Sequence, residues 1–325
     1  MSHILGFGGY APERVVTNDE WARLVDTSDE WITQRTGIKR RRFAADDETT
    51  LTLASDAAAV ALKDADMTPD EIDEIIVATD TPEMMTPDTA ALVQDRLGCR
   101  NVPTYDLGGS GCAGFIQAVD VARSRILTRP KNVLVIGVEV ISKMISLEDR
   151  ATAVLFGDAA GAVVMGPEGG RARVLDVVAG TDGSAAEILT LGAGGTRNPF
   201  NADSLASGAY NRLIMDGRRV FTEAVKRMSE AALEVLDRVG RTVAEVKLVI
   251  PHQANLRIIE AVRKRLGLPE SAVYVNVHEY GNTGSATVPF ALWEAVRADR
   301  IAPGDLVVLT AFGAGFHWSA AAVQF

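Results

Sequence analysis

Cys112 stands in the segment GGSGCAGF, directly after Gly108, Gly109, Ser110 and Gly111. Phe115, Ile116, Val119 and Ala122 recur beyond it at helical spacing, so the thiol is expected at the head of a helix. A glycine-rich turn permits a sharp bend, and the free amides and dipole of a helix N-terminus favour an anion. A free thiol titrates at about 8.5, and such a setting lowers it to roughly 3.5 to 7.5, giving a nucleophile at neutral pH. The competing reading is a small buried hydrophobe, which is what most cysteines are. Cys99, in LGCRN after a helix, lacks a helix-start setting and reads as structural.

A thiol needs partners before it does chemistry. His252 ends the apolar run VKLVIPH, and α/β proteins place chemistry at strand C-terminal ends. A structural histidine fits the same place. Asn282 lies in YGNTGSA between Gly281 and Gly284, a pattern that by itself reads as a turn. Gly313, Ala314 and Gly315 form a further tight turn after a strand, able to bring backbone amides near a developing oxyanion.

The elements that must position these residues alternate along the chain. Runs such as IDEIIVAT (72–79) and NVLVIGVEV (132–140) read as strands buried on both faces, and PDTAALVQDRLG and CAGFIQAVDVARSRIL read as the helices between them. FTEAVKRMSEAALEVLDRVG, VKLVIPH, ANLRIIEAVRKRLG, TVPFALWEAVRADR and DLVVLTAFGAG repeat the rhythm. The pattern is α/β. Displacing the chain by 173 residues (282 − 109) lays GSGCA (109–113) on NTGSA (282–286) and Asn132 on Asp305. This reads as a duplication, with halves at 1–172 and 173–325. Pseudo-symmetry would then bring the Cys112 and Asn282 turns together at the centre of the molecule.

Composition narrows the function classes. The chain has 325 residues, 47% hydrophobic and 23% charged, enough for a large core. A formal net charge of -10 argues against a nucleic-acid surface, which needs a concentrated basic footprint. The exception is local: Arg257 and Lys264 in NLRIIEAVRKR lie seven residues apart (264 − 257) and share a helix face. A solvated helix face is the plainer reading of that pair. No run approaches the roughly 18 apolar residues of a membrane span, and the N-terminus has no secretory pattern, so a cytoplasmic location is expected. Two cysteines without metal-ligand spacing predict neither a disulfide nor a metal site.

Taken together, TSDEWITQRTGIKRR (27–41), PDTAALVQDRLG (87–98), CAGF (112–115), DRATAVLFGDAAGA (149–162), PHQANLRII (251–259), YGNTGSA (280–286) and FGAGFHWSAA (312–321) resemble the β-ketoacyl-acyl carrier protein synthase III family of the thiolase superfamily. The resemblance covers essentially the whole chain. It implies a thiolase-like fold, two duplicated α/β halves in an αβαβα stack, and initiation of fatty acid synthesis by a homodimer. The substrates it implies are an acyl-CoA primer and malonyl-acyl carrier protein, with coenzyme A thioester as substrate and no cofactor or metal. By that resemblance Cys112 accepts the acyl group, and His252 and Asn282 complete the triad. The amides of Cys112 and Ala314 form the oxyanion hole, and Trp31 and Arg150 sandwich the adenine of coenzyme A. Arg35 and Asn255 line the same tunnel, and Arg257, with Lys264 beside it, docks the acidic carrier protein.

Three departures stand out. The segment before Cys112 is GGSG rather than alanine-rich, Ser285 is displaced by one from the usual GNTS, and Thr86 precedes Pro87 where short-chain members carry a bulky aromatic. A small Thr86 would deepen the acyl pocket towards longer or branched primers, unless Met84 and Met85 refill it. Two alternatives follow from the same residues. One is a synthase III-like acyltransferase or condensing enzyme of secondary metabolism, and the other a non-catalytic partner subunit, against which the retained Cys112, His252 and Asn282 argue.

Overall fold

The computed structural model describes residues 1–129, 131–146 and 149–325. Its core is a nine-stranded sheet. In chain order the strands are β1 (Ser2–Tyr10), β2 (Glu74–Ala78), β3 (Thr104–Leu107), β4 (Val133–Glu139), β5 (Ala159–Gly166), β6 (Ala172–Thr181), β7 (Val246–Pro251), β8 (Leu306–Gly313) and β9 (His317–Gln324). Across the sheet they run β7-β8-β9-β6-β1-β5-β4-β2-β3. The order is a mirror about its middle. From β1 outward, β5 and β4 are joined antiparallel and β2 follows in parallel; from β6 outward, β9 and β8 are joined antiparallel and β7 follows in parallel. Even the outermost strand β3, parallel to β2, has an echo in the isolated parallel bridge Val249 to Val273.

β1 and β6 meet over a short antiparallel seam, Ser2 to Ile4 against Val174 to Ala172. On either side of it the half-sheets are clad by α2 (Thr50–Asp64), α3 (Thr89–Leu97), α4 (Gly114–Thr128), α5 (Gly217–Arg238) and α7 (Thr287–Arg297), while α1 (Asp29–Thr36) packs against α6 (Leu256–Leu266). α2 and α3 cover one half-sheet, α5 covers the other with α6 packed on it, and α4 and α7 touch strands of both. The result is five layers, αβαβα. Central placement explains composition: Thr287, Val288, Pro289, Phe290, Ala291, Leu292, Ala295 and Val296 of α7 are all buried, because a helix between two sheets has almost no solvent face. Every residue of β2, β4, β5 and β8 is likewise buried, as expected of strands covered on both sides.

The strands and helices anticipated from the apolar runs all form at those places. Among the described residues no helix is long and apolar enough to cross a membrane. Between β6 and α5 the chain makes an excursion that the hydrophobic pattern left unread. It holds a small antiparallel strand pair, Leu189–Leu191 with Leu213–Met215, whose residues line the site described next.

Candidate active site

Strand ends and helix heads converge on a cavity of about 810 Å³ lined by Cys112, His252, Asn282, Ala314, Asp80 and Glu139. Cys112 sits in a single 3-10 turn, Gly111–Ala113, that leads directly into α4. Gly111 has φ +54°, and a Cβ there would overlap the Ala314 nitrogen. Reciprocally, a Cβ on Gly313 would overlap the Cys112 nitrogen. These two glycines let the β8 end and the cysteine turn press together, with the amides of Cys112 and Ala314 in the same small region. The GGSG departure has a local reason: Gly109, at φ +80°, donates its N–H to Asp80 Oδ1 at 2.6 Å, which pins the turn.

Asn282 is held by its backbone. Its N–H donates to Leu155 O at 2.8 Å and its carbonyl accepts from Gly157 N at 3.0 Å. Its side-chain Oδ1 accepts from Gly284 N–H at 2.9 Å and lies 4.0 Å from Cys112 Sγ. With Oδ1 so engaged, the amide hydrogens on Nδ2 remain as donors. His252 follows the end of β7, is buried, and donates its backbone N–H to Thr310 O at 2.8 Å. Its Nδ1 is 2.7 Å from Thr287 Oγ1. Burial pushes the imidazole down to about 3, so it is neutral at physiological pH.

The electrostatics of the thiol differ from the expectation for a helix head. Burial raises the Cys112 thiol well above its ordinary range, and the facing carboxyls of Glu139 and Asp80 raise it further. The Asn282 side chain and the turn backbone pull the other way and lose. The helix N-terminus favours an anion, but desolvation and two acids outweigh it, so the resting group is a thiol that needs a proton acceptor. Glu139 is itself pushed up to about 8, by burial first and then by Asp80. It accepts from Thr81 Oγ1 at 2.7 Å, Asp80 N at 3.1 Å and Ser285 Oγ at 3.0 Å. Asp80 is also raised by burial.

On the cavity wall, Trp31 carries two guanidinium groups over its ring, Arg35 at 4.4 Å and Arg150 at 4.9 Å from the ring centre. Arg150 also donates to Asp26 O at 2.6 Å. Trp31 and Arg150 thus stack on each other, and a planar ring entering between them must first part them. Asn255 caps α6, accepting from Arg257 N at 2.8 Å, and its Nδ2 donates to Arg35 O at 3.2 Å. Trp31, Arg35 and Asn255 line the cavity. Arg257 and Lys264 are exposed on α6, whereas Arg263 and Arg265 between and beyond them are paired with Glu260 and Glu230. Thr86 is exposed and off the cavity wall of its own chain, while Pro82 and Met85 of the same loop are on it. Cys99 is buried elsewhere, in the core beside α3.

The profile of the C-terminal part of 3-oxoacyl-(acyl-carrier-protein) synthase III matches residues 236–325, and that of 3-oxoacyl-(acyl-carrier-protein) synthase III matches residues 105–183. A relative named beta-ketoacyl-(acyl-carrier-protein) synthase III, from Caldanaerobacter subterraneus subsp. tengcongensis, is 46% identical over 99% of this chain and 97% of its own. The chain belongs to the 3-oxoacyl-(acyl-carrier-protein) synthase III family. The solved synthase III of Aquifex aeolicus VF5 is 42% identical, covers 100% of both chains and superposes with a TM-score of 0.91. A priming β-ketosynthase of the R1128 polyketide pathway is 36% identical with the same TM-score of 0.91, covering 100% of this chain and 96% of its own. The thiolase-like fold and the family expected from the motifs are thus borne out.

Residues that sequence reasoning passed over are Asp80, Glu139 and Thr287 of this synthase III cavity and its wall. The first two were within reach. Both lie at or just beyond the C-terminal end of a strand, the same criterion that singled out His252. Thr287 gave no signal, since its link to His252 spans 35 residues and exists only in the fold.

Proposed function

We propose that the chain starts fatty acid chains by condensing an acyl-CoA primer with malonyl-acyl carrier protein, using Cys112 as the acyl carrier. The supporting observation is the convergence of Cys112, His252 and Asn282 on one largely apolar-walled cavity that Trp31 and Arg35 also line. The Cys112 sulfur attacks the thioester carbonyl, the C–S bond to coenzyme A breaks, and coenzyme A leaves as its thiol. Amides of Cys112 and Ala314 hold the tetrahedral oxyanion, a contribution of roughly 3 to 4 kcal/mol per donor. Malonyl-carrier protein then binds and loses carbon dioxide. The electron pair of the broken C–C bond passes into an enolate whose oxygen faces the Asn282 Nδ2 and His252 Nε2 donors. Its carbon attacks the acyl-Cys112 carbonyl, and collapse of that intermediate expels the Cys112 sulfur. No metal or cofactor enters these steps, because decarboxylation itself generates the carbon nucleophile.

On the same reading, Trp31 and Arg150 part to take the adenine, with Arg35 and Asn255 along the tunnel. Arg257 and Lys264, exposed on α6 and without an acidic partner among the described residues, meet the carrier protein. A cytoplasmic homodimer, in which Thr86 reaches across to the partner's acyl pocket, completes the proposal, together with a division into halves at 172/173 supported by the mirrored strand order. The polyketide-priming relative favours a second reading, acyl transfer or condensation in secondary metabolism.

Intact-protein mass spectrometry with acetyl-, isobutyryl- and octanoyl-CoA tests the reading. One acyl adduct on Cys112, followed by release of carbon dioxide from malonyl-carrier protein, is expected. No adduct with any primer overturns it, and an adduct without carbon dioxide release points to plain acyl transfer. Faster acylation by acetyl-CoA than by the two larger primers would overturn the role of Thr86.

A further inference from the structure

Thr287 is buried at the first residue of α7, with its hydroxyl 2.7 Å from His252 Nδ1 and 3.0 Å from the Gly284 carbonyl oxygen. A hydroxyl has one hydrogen to give, and a carbonyl oxygen only accepts. If that hydrogen goes to Gly284, Nδ1 must be protonated and donate to Thr287 Oγ1, and both contacts become hydrogen bonds. If it goes to Nδ1, the contact with Gly284 brings two acceptors together and is lost. Buried polar groups settle in the arrangement that satisfies more of them. Burial also keeps the imidazole neutral at rest, so a proton on Nδ1 leaves a lone pair on Nε2.

We propose that Thr287 is a positioning residue that holds Nδ1 of His252 protonated throughout the cycle, so that all proton exchange with the reacting groups passes through Nε2. This rests on the reaction proposed above. During acylation the Cys112 S–H bond breaks and its proton moves to Nε2, while the sulfur forms its bond to the acyl carbon. Nε2 hands that proton to the sulfur of the departing coenzyme A, and the imidazole, with Nδ1–H still bonded to Thr287, is neutral again. As decarboxylation puts negative charge on the thioester oxygen of the malonyl group, Nε2 takes up a proton from solvent and offers it to that oxygen. When condensation expels the Cys112 sulfur as a thiolate, that proton passes to it. The overall reaction consumes one proton, because a malonyl carboxylate becomes neutral carbon dioxide, and the two counts agree. The resting thiol, raised by burial and two acids, is what makes such an acceptor necessary.

Nitrogen-15 NMR of protein labelled only at histidine reads the tautomer directly. The chain has four histidines, and the His252 signal is identified by its loss in His252→Ala. Wild-type protein is expected to show protonated Nδ1 and a free lone pair on Nε2. Thr287→Ser should keep that tautomer and acylate within about threefold of wild type. Thr287→Val should shift the population towards Nε2–H and slow acylation of Cys112 by tenfold or more. A resting wild-type tautomer with the proton on Nε2 overturns the proposal, and that readout needs no variant to fold. So does a folded Thr287→Val protein that acylates at the wild-type rate. Failure of wild-type protein to acylate at all is a different result: it removes the reaction, whereas the tautomer is measured without it.

Discussion

The turns ahead of α4 and α7 share a build and differ in surroundings. Gly111–Ala113 and Gly284–Ala286 are each a single 3-10 turn, opened by a glycine at φ +54° and +56°. They lie 173 residues apart (284 − 111), and Cys112 and Ser285 hold the same middle position. A Cβ on Gly111 would strike the backbone nitrogen of Ala314, at the end of β8; one on Gly284 would strike the side chain of Glu139, at the end of β4. The first turn leans on an N–H donor and the second on a carboxyl. Cys112 opens onto the cavity, while the Ser285 hydroxyl is buried against Ala78 O at 2.8 Å and Glu139. A glycine turn at a helix head is therefore not enough to make a nucleophile. What decides is whether the opposing strand end stabilises or repels a developing oxygen anion.

The comparison can be broken at either turn. Cys112→Ala should abolish the acyl adduct in mass spectrometry and lower condensation by at least roughly 10⁴-fold, whereas Ser285→Ala should leave an acylatable enzyme. Gly111→Ala should cost on the order of 10²- to 10³-fold in condensation rate, by forcing the Ala314 amide away from the oxyanion. Gly284→Ala presses on a side chain instead, so its effect should register as a loss of about 1 to 3 kcal/mol in denaturant titration, with a smaller loss of rate.

Glu139→Gln sharpens the comparison through pH. The Glu139 carboxyl, raised from 4.5 to about 8, resists ionising in the fold, so wild-type stability falls as pH rises from near 4.5 through 8. The glutamine variant does not titrate there. Its advantage in unfolding free energy, read by denaturant titration, should vanish near pH 5 and reach on the order of 5 kcal/mol by pH 9. The smallest effect is expected farthest from the turns. Arg257→Glu should raise KM for malonyl-carrier protein by about tenfold at low salt and less at high salt, and leave acylation by acyl-CoA unchanged.

Much of this was legible in the sequence, for physical reasons. Strands buried on both faces announce themselves as apolar runs, and glycine-rich turns announce the helix heads, so the turns that carry Cys112 and Asn282 could be paired by displacement alone. The charge state of the thiol was not legible, because it depends on Glu139 and Asp80, which reach the cavity from other strand ends. Nor was the Thr287 contact, which forms only when α7 is seated against β7. The stacking of Arg35 and Arg150 on Trp31 belongs to the same class. Spacing can nominate such residues, but whether their slot stands open or shut is a matter of side-chain packing.

That shut slot bears on turnover. On the proposed reading, adenine entering beside Trp31 replaces a stack already made with Arg150, so the nucleotide end gains little net binding from the exchange. The acyl group and its linking arm must then carry most of the affinity, and transfer of the acyl group to Cys112 removes one of those two anchors. Spent coenzyme A is left with a weak hold, and Arg150 stands ready to close behind it. A site that must empty before its second substrate can enter is well served by a first product that is easily evicted.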